Sequence, residues 1–265
     1  MTGAAVTRQR PAWVGPALAA AGAVGAWWLV AATAFAASGA VPTPPAVIAA
    51  LVDDGWGFYA PNVAATVSEA VQGFLWGNAL AIVLALLVVA VPWLESLVVN
   101  IAVVSYCLPV VAVGPIVAVV FGGRTPMIVL AAIFCFFSTT VGTLLGLRSA
   151  DRAALDVVTV FGGGRGERLR RVQVMAAVPA VLAALRIAAP SAVLGAIIGE
   201  YLGGVDTGLG VAMTLSQQQY LVERTWALGL VAGAVSGIGY LAIGLLARAV
   251  VPWAQGETER DGARS

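Results

Sequence analysis

Six stretches of this chain are long and apolar enough to cross a bilayer, and that leaves few options besides a bundle of membrane helices. A span needs about 20 mostly apolar residues, and such runs occur at roughly Ala12–Ala37, Thr66–Val91, Ser96–Phe121, Thr125–Leu147, Val178–Leu202 and Thr225–Val251. Only 10% of the residues are charged and 60% are hydrophobic, whereas soluble domains carry roughly 25% charge. The expected fold class is therefore an all-α integral membrane protein with six transmembrane helices.

The connections are read from their helix breakers. Between the first two spans lies VPTPPAVIAALVDDGWGFYAPN, where Pro42, Pro44 and Pro45 oppose a continued helix and Asp53 and Asp54 favour water, so a surface loop is expected. Pro92 and Glu95 mark a tight turn, and FGGRTP, with Gly122, Gly123 and Pro126, marks another. The organisation expected is an N-terminal tail, first helix and Pro-rich external loop over 1–61, a core over 62–252 and a polar tail over 253–265. RQR before an apolar run that ends in AFAASGA resembles a cleavable signal. The run is too long for that, since a signal core has 7–15 residues, and a retained first helix is expected.

Arginine distribution orients the bundle. Arg8 and Arg10 precede the first span, Arg148, Arg152, Arg165, Arg168, Arg170 and Arg171 lie between the fourth and fifth, and Arg248, Arg260 and Arg264 end the chain. These segments are expected on the cytoplasmic side with both termini. Arg124 and Arg224 fall on the opposite side with Asp53, Asp54, Asp206 and Glu223.

The Arg-rich insert between the fourth and fifth spans is the one long polar segment inside the bundle. Ser149–Phe161 reads as a short helix, Gly162, Gly163 and Gly164 as an elbow, and Gly166–Val174 as a second short helix. Glycine suits a sharp turn between helices because other residues resist positive φ. Leu155, Val158 and Phe161, with Val157 beside them, form an apolar face next to positive charge. Such a face fits either a protein partner or anionic lipid headgroups.

The insert resembles the conserved loop of binding-protein-dependent ABC transporter permeases, whose pattern is E-A-A-x3-G-x9-I-x-L-P. Asp156, Val157, Val158, Gly162, Val172, Val174 and Met175 occupy those positions in register. Asp replaces Glu, two Val replace two Ala, and Met175 stands where the family has Pro, which removes a helix break just before the fifth span. VPTPPAVIAAL, LPVVAVGPIVAVVFGGR and LRIAAPSAVLGAIIGEYLGG are similar to segments of the nitrate, sulfonate and taurine branch, so the resemblance covers about Pro42–Trp253. It implies a permease subunit of a type I importer in a bacterial cell membrane, without catalytic residues or cofactor. The partners implied are ABC ATPase subunits, an external solute-binding protein and a second permease copy, with a homodimer the default, all within the lipid bilayer and without nucleic acid. The loop over Asp156–Val174 would be the coupling helix. The branch favours a sulfonate, taurine or nitrate-like anion, with a thiamine-precursor pyrimidine or another small solute as alternatives.

Polar residues within spans are costly and few. Arg186 lies seven residues beyond Pro179, about 10 Å along a helix, where it can snorkel to the interface or contact an anion. Glu200 is expected at the outer interface, as are Glu69 and Gln72, and Asn78 and Asn100 read as interhelical hydrogen-bond links. Pro109 and Pro115 bracket Val110–Gly114 in the third span. Proline frees backbone carbonyls, which are tolerated at membrane depth only inside protein or along a wet cavity. Tyr106, Pro109, Gly114, Pro115 and Arg186 are thus the candidates for pathway lining, against the plainer reading that the prolines shape packing. Gly195, Gly199 and Gly203 form a close-packing stripe, within the monomer or across a dimer. Cys107 and Cys135 fall in apolar runs and read as small hydrophobes.

Other function classes are weaker. GGGRGE lacks the GK[ST] ending of a phosphate loop, so ATP hydrolysis is expected on a separate subunit. A secondary transporter usually carries internal repeats and intramembrane carboxylates or His, and the chain has no His. A structural or sensory membrane subunit is the third class.

Overall fold

The computed structural model describes residues 14–202 and 204–252, all helix and connections. The helices are α1 (Val14–Thr33), α2 (Pro44–Ala90), α3 (Glu95–Cys107), α4 (Val110–Phe121), α5 (Thr125–Arg148), α6 (Arg152–Val160), α7 (Arg165–Arg168), α8 (Val174–Leu202), α9 (Leu209–Gln218) and α10 (Val222–Val250). Five helical segments are long and apolar enough to cross a membrane: α1, α2, α5, the run from α7 through α8, and α10. A sixth span exists only if α3 and α4, bent by 102° to one another, count as one broken crossing. The polar tail over 253–265 and the arginines at 8, 10, 260 and 264 lie outside the described residues.

Three expectations are corrected here. The Pro-rich segment expected to be a surface loop is helical, because Pro44 and Pro45 occupy the first turn of α2, where the missing N–H is no loss. The α2 helix kinks at Gly55 (φ 67°, ψ 166°) and then runs on through Pro61 to Ala90. The third span is not one bent helix: it stops at Leu108, and Pro109 caps a separate α4. The second short helix of the insert does not stand alone either. Arg165 through Leu202 is continuous, widened to a π-turn over Leu169–Gln173, as follows from Met175 standing where a helix-breaking proline would stop it.

The core is α5 gripped between α2 and α8. Small residues set the approach: a Cβ on Gly77 would lie 2.5 Å from the Ala132 carbonyl oxygen, one on Gly195 2.6 Å from Ala131 Cα, and one on Gly199 2.6 Å from Met127 Cα. The glycine stripe of α8 therefore faces α5 within the monomer, and its third member, Gly203, lies outside the described residues. Cys135 Sγ donates to the Ala188 carbonyl at 3.3 Å, and both cysteines are free.

Asn78 links helices as expected, Thr139 Oγ donating to its Oδ1 at 2.5 Å while its Nδ2 donates to the Phe74 carbonyl at 2.6 Å. Interhelical hydrogen bonds in membranes are worth about 0.6 kcal/mol on average and up to ~1.7. Thr139→Val should therefore lower stability by about 1 kcal/mol, read as a shifted midpoint in detergent unfolding, and no shift in an Asn78→Leu background.

Asp54 is not the solvated loop residue expected. Its side chain is 8% exposed and takes a bidentate grip from Arg224, Nε lying 3.0 Å from Oδ1 and 2.8 Å from Oδ2, while Tyr59 Oη donates to Oδ2 at 3.1 Å. This ties the first part of α2 to the start of α10. Asp54→Ala leaves a half-buried guanidinium unpaired and should cost about 3 kcal/mol, visible as a lower thermal midpoint. Asp54→Glu should recover part of it.

Candidate functional site

At the α6 end, local rules fix the geometry of the insert. Asp151 caps α6, its Oδ1 accepting from Ala153 N at 3.2 Å. At the other end Gly163 N donates to the Val158 carbonyl at 2.8 Å and Gly162 N to the Thr159 carbonyl at 2.9 Å. That pair of bonds is the Schellman closure, and it places Gly162 at φ 81°. The expected elbow is present, with Gly162 as its left-handed residue. Gly163 is there for space, since a Cβ would lie 2.7 Å from the Val158 carbonyl oxygen.

The apolar face is rotated relative to the sequence reading. Val157, Val160 and Phe161 are 56%, 83% and 87% exposed. Leu155 instead turns inward, lining a crevice with Val89, Pro92, Arg165, Arg168 and Gln173. Val160 joins the exposed edge because Leu155, expected on that face, is drawn into the crevice. Asp156 is exposed, Val158 and Val172 are half-buried, Val174 packs on the cluster of Ala85, Val88, Leu144 and Leu147, and Met175 is exposed. A shallow hollow of about 420 Å³ lies between Val157, Val158, Phe161, the two glycines, Glu167 and Arg171. Arg171 pairs with Glu167 one turn away, Gln173 Nε2 donates to the Leu147 carbonyl at 3.3 Å, and Arg148 meets Glu95 at 2.5 Å. The insert is thus a braced element presenting an apolar edge.

The opposite end of the bundle holds a polar clasp that sequence reading placed only as separate interfacial residues. Glu200 is 3% exposed and accepts from Thr66 Oγ at 2.5 Å and from Gly210 N at 2.6 Å. Thr66 Oγ in turn accepts from Leu209 N at 2.9 Å, and Asn62 Oδ1 accepts from Gly208 N at 3.0 Å. Glu69, 1% exposed, takes Arg124 Nη1 at 2.5 Å, while Arg124 Nη2 reaches Thr207 Oγ at 2.5 Å. Glu69 adjoins Glu200, and its Oε2 is buried without a partner. One network therefore joins α2, the α4–α5 turn, the end of α8 and the start of α9. Beside it a cavity of about 270 Å³ opens among Phe58, Pro61, Asp206, Thr207, Gln219 and Arg224.

The five candidates for pathway lining do not converge. Tyr106 is exposed and stacks on Phe137 at 4.7 Å between centroids, Pro109 and Pro115 are exposed, and Gly114 is buried against Leu202 and Leu130. Arg186 lies 16 residues from Leu202 along α8, about 24 Å, and faces α10, its guanidinium 4.0 Å over the Tyr240 ring.

The sequence has known relatives. Residues 77–255 match the family described as binding-protein-dependent transport system inner membrane component. A formylaminopyrimidine transport permease of Halalkalibacterium halodurans is 28% identical over 80% of this chain and 85% of its own length. A riboflavin transport system permease of Chloroflexus aurantiacus is 27% identical over 71% of this chain and 70% of its own. A putative aliphatic sulfonates transport permease of Bacillus subtilis is 23% identical over 93% of this chain and 90% of its own. With most of the chain inside the family match, and with helices long and apolar enough to cross a membrane, the chain belongs to the binding-protein-dependent ABC transporter permeases, multi-pass transport components of the cell membrane.

Proposed function

We propose that the chain forms half of the translocation path of an ATP-driven importer, with α6 as the element gripped by a separate ATPase and the α6 end facing the cytoplasm. The observation that carries this is the exposed edge of Val157, Val160 and Phe161 on a helix closed at both ends. A short rigid element held in a partner's groove passes on rigid-body motion that a floppy loop would absorb. A second permease copy completes the path, and an external binding protein delivers solute to the end bearing the clasp. Tyr106, Pro109 and Pro115, exposed at the α3–α4 break, remain the lining proposed for the path, with Gly114 packed behind them against Leu202 and Leu130.

The solute proposed is a small nitrogen heterocycle of the pyrimidine or flavin kind, supported by the two relatives named for such cargo, at 28% and 27% identity. A sulfonate-like anion is the second reading, supported by the relative matched over 93% of the chain. Calorimetry of the cognate binding protein against a formylaminopyrimidine, riboflavin and an alkanesulfonate decides between them. Submicromolar binding of the sulfonate alone sinks the first reading.

A further inference from the structure

The α2, α8 and α10 helices enclose an apolar cleft that the transport reading leaves unused. It measures about 350 Å³ and is lined by Val67, Val71, Phe74, Val193, Ile238 and Ile243 among others. Val71 and Ile238 are 51% and 67% exposed, so the cleft opens on the outside of the bundle. Its α6-side end is marked by charge. Arg186 lies one turn from Ala189, which lines the cleft, and its guanidinium is held between the Tyr240 ring and Gly244. A Cβ on Gly244 would come within 3.0 Å of Arg186 Nε, so the glycine makes room for the guanidinium. Arg186 Nε is buried without a hydrogen-bond partner, and among the described residues Arg186 makes no ion pair. Arg248 follows Gly244 by one turn on the same face of α10, is exposed and likewise makes no ion pair among the described residues.

Two guanidiniums without an ion pair among the described residues, at one end of a hydrocarbon-lined slot, complement one molecule with an anionic head and an apolar tail. We propose that the cleft binds one anionic phospholipid of the leaflet on the α6 side, with its phosphate on Arg186 and Arg248. One acyl chain runs from Ile243 toward Val235, about 12 Å along α10. The direction is consistent: the head lies toward the end of α10 and the tail points to the middle of the bilayer. Arginine suits this role because its planar fork binds two phosphate oxygens while its stem stays in apolar surroundings.

The test is native mass spectrometry of the full-length chain in neutral detergent, titrated with phosphatidylglycerol and with phosphatidylcholine of the same acyl chains. One phosphatidylglycerol per chain should bind at least tenfold tighter than phosphatidylcholine. Arg186→Gln and Arg248→Gln should each erase most of that preference, and Val193→Trp should weaken both lipids alike by filling the cleft. Because Arg248 is exposed at a helix end, its variant reports even if Arg186→Gln folds poorly. Equal binding of the two lipids, or a preference unchanged by Arg248→Gln, overturns the proposal. Displacement of the lipid by millimolar inorganic phosphate overturns it too, since that result assigns the arginines to a free anion.

Discussion

Gly162→Val is expected to reduce solute uptake at least tenfold while leaving the protein inserted in the membrane. Open space surrounds this position, with nothing within 4 Å of a built Cβ, so sterics with neighbours are not the cause. The cause is φ at 81°, a left-handed conformation that costs a non-glycine residue about 1–3 kcal/mol and that a β-branched side chain tolerates worst. The strain is relieved by unwinding the last turn of α6, which abandons the two closing bonds from Gly162 and Gly163 and swings Phe161 out of register with Val157. Gly162→Asn should retain most uptake because Asn tolerates the left-handed region. Arg170→Ala, on an exposed residue, should do little. Co-purification of the ATPase with each variant separates lost docking from lost expression. Full uptake by a well-inserted Gly162→Val protein removes α6 as the coupling element and favours its lying on lipid headgroups.

What the sequence shows of this fold is whatever depends on neighbours along the chain. Hydrophobic length located α1, α5, α8 and α10, and the three glycines located the elbow, because both signals are local. Proline is ambiguous from sequence because its effect depends on context: Pro44 and Pro45 start α2, while Pro109 separates α3 from α4. With Met175 in place of a proline, the insert's second helix merges with α8. The rotation of the α6 face toward Val160 depends on where Leu155 finds its partners, Val89 and Pro92, more than sixty residues away. Least legible was the clasp, in which Thr66 and Glu200 stand 134 residues apart. Each charge there read as interfacial because an unpaired Glu near a span end ordinarily reaches water. Only the fold reveals that Thr66, Gly210 and Arg124 stand in for it.

Glu200→Ala should be the most destabilising single substitution in the far half of the bundle. The carboxylate is the hub on which Thr66 Oγ and Gly210 N both converge, so its removal orphans the buried Gly210 N and leaves Thr66 Oγ only the Asn62 carbonyl at 3.2 Å as acceptor. The orphaned amide costs about 1–3 kcal/mol and truncating a buried side chain about 2 more, so a loss of about 3–4 kcal/mol is expected for the site. Glu200→Gln keeps an oxygen acceptor and should lose less than half as much. Thr66→Val, which preserves shape but leaves Leu209 N and Glu200 without the hydroxyl, should cost an intermediate amount. Gly208→Ala attacks the same hub from the other side. Its φ of 151° is one a side chain rarely adopts, and a Cβ there would run into the Glu200 carboxyl. Thermal midpoints of the four variants in one detergent check the order: Glu200→Ala lowest, Gly208→Ala and Thr66→Val between, Glu200→Gln nearest the parent. If Glu200→Ala leaves the midpoint unchanged, water reaches this end of the bundle and the clasp is not what holds α9 to α2. If it lowers the midpoint but spares uptake, the clasp is structural alone. A variant stable enough to purify yet silent in uptake would give it a part in opening this end of the path, because the same bonds tie α2, α8 and the α4–α5 turn together.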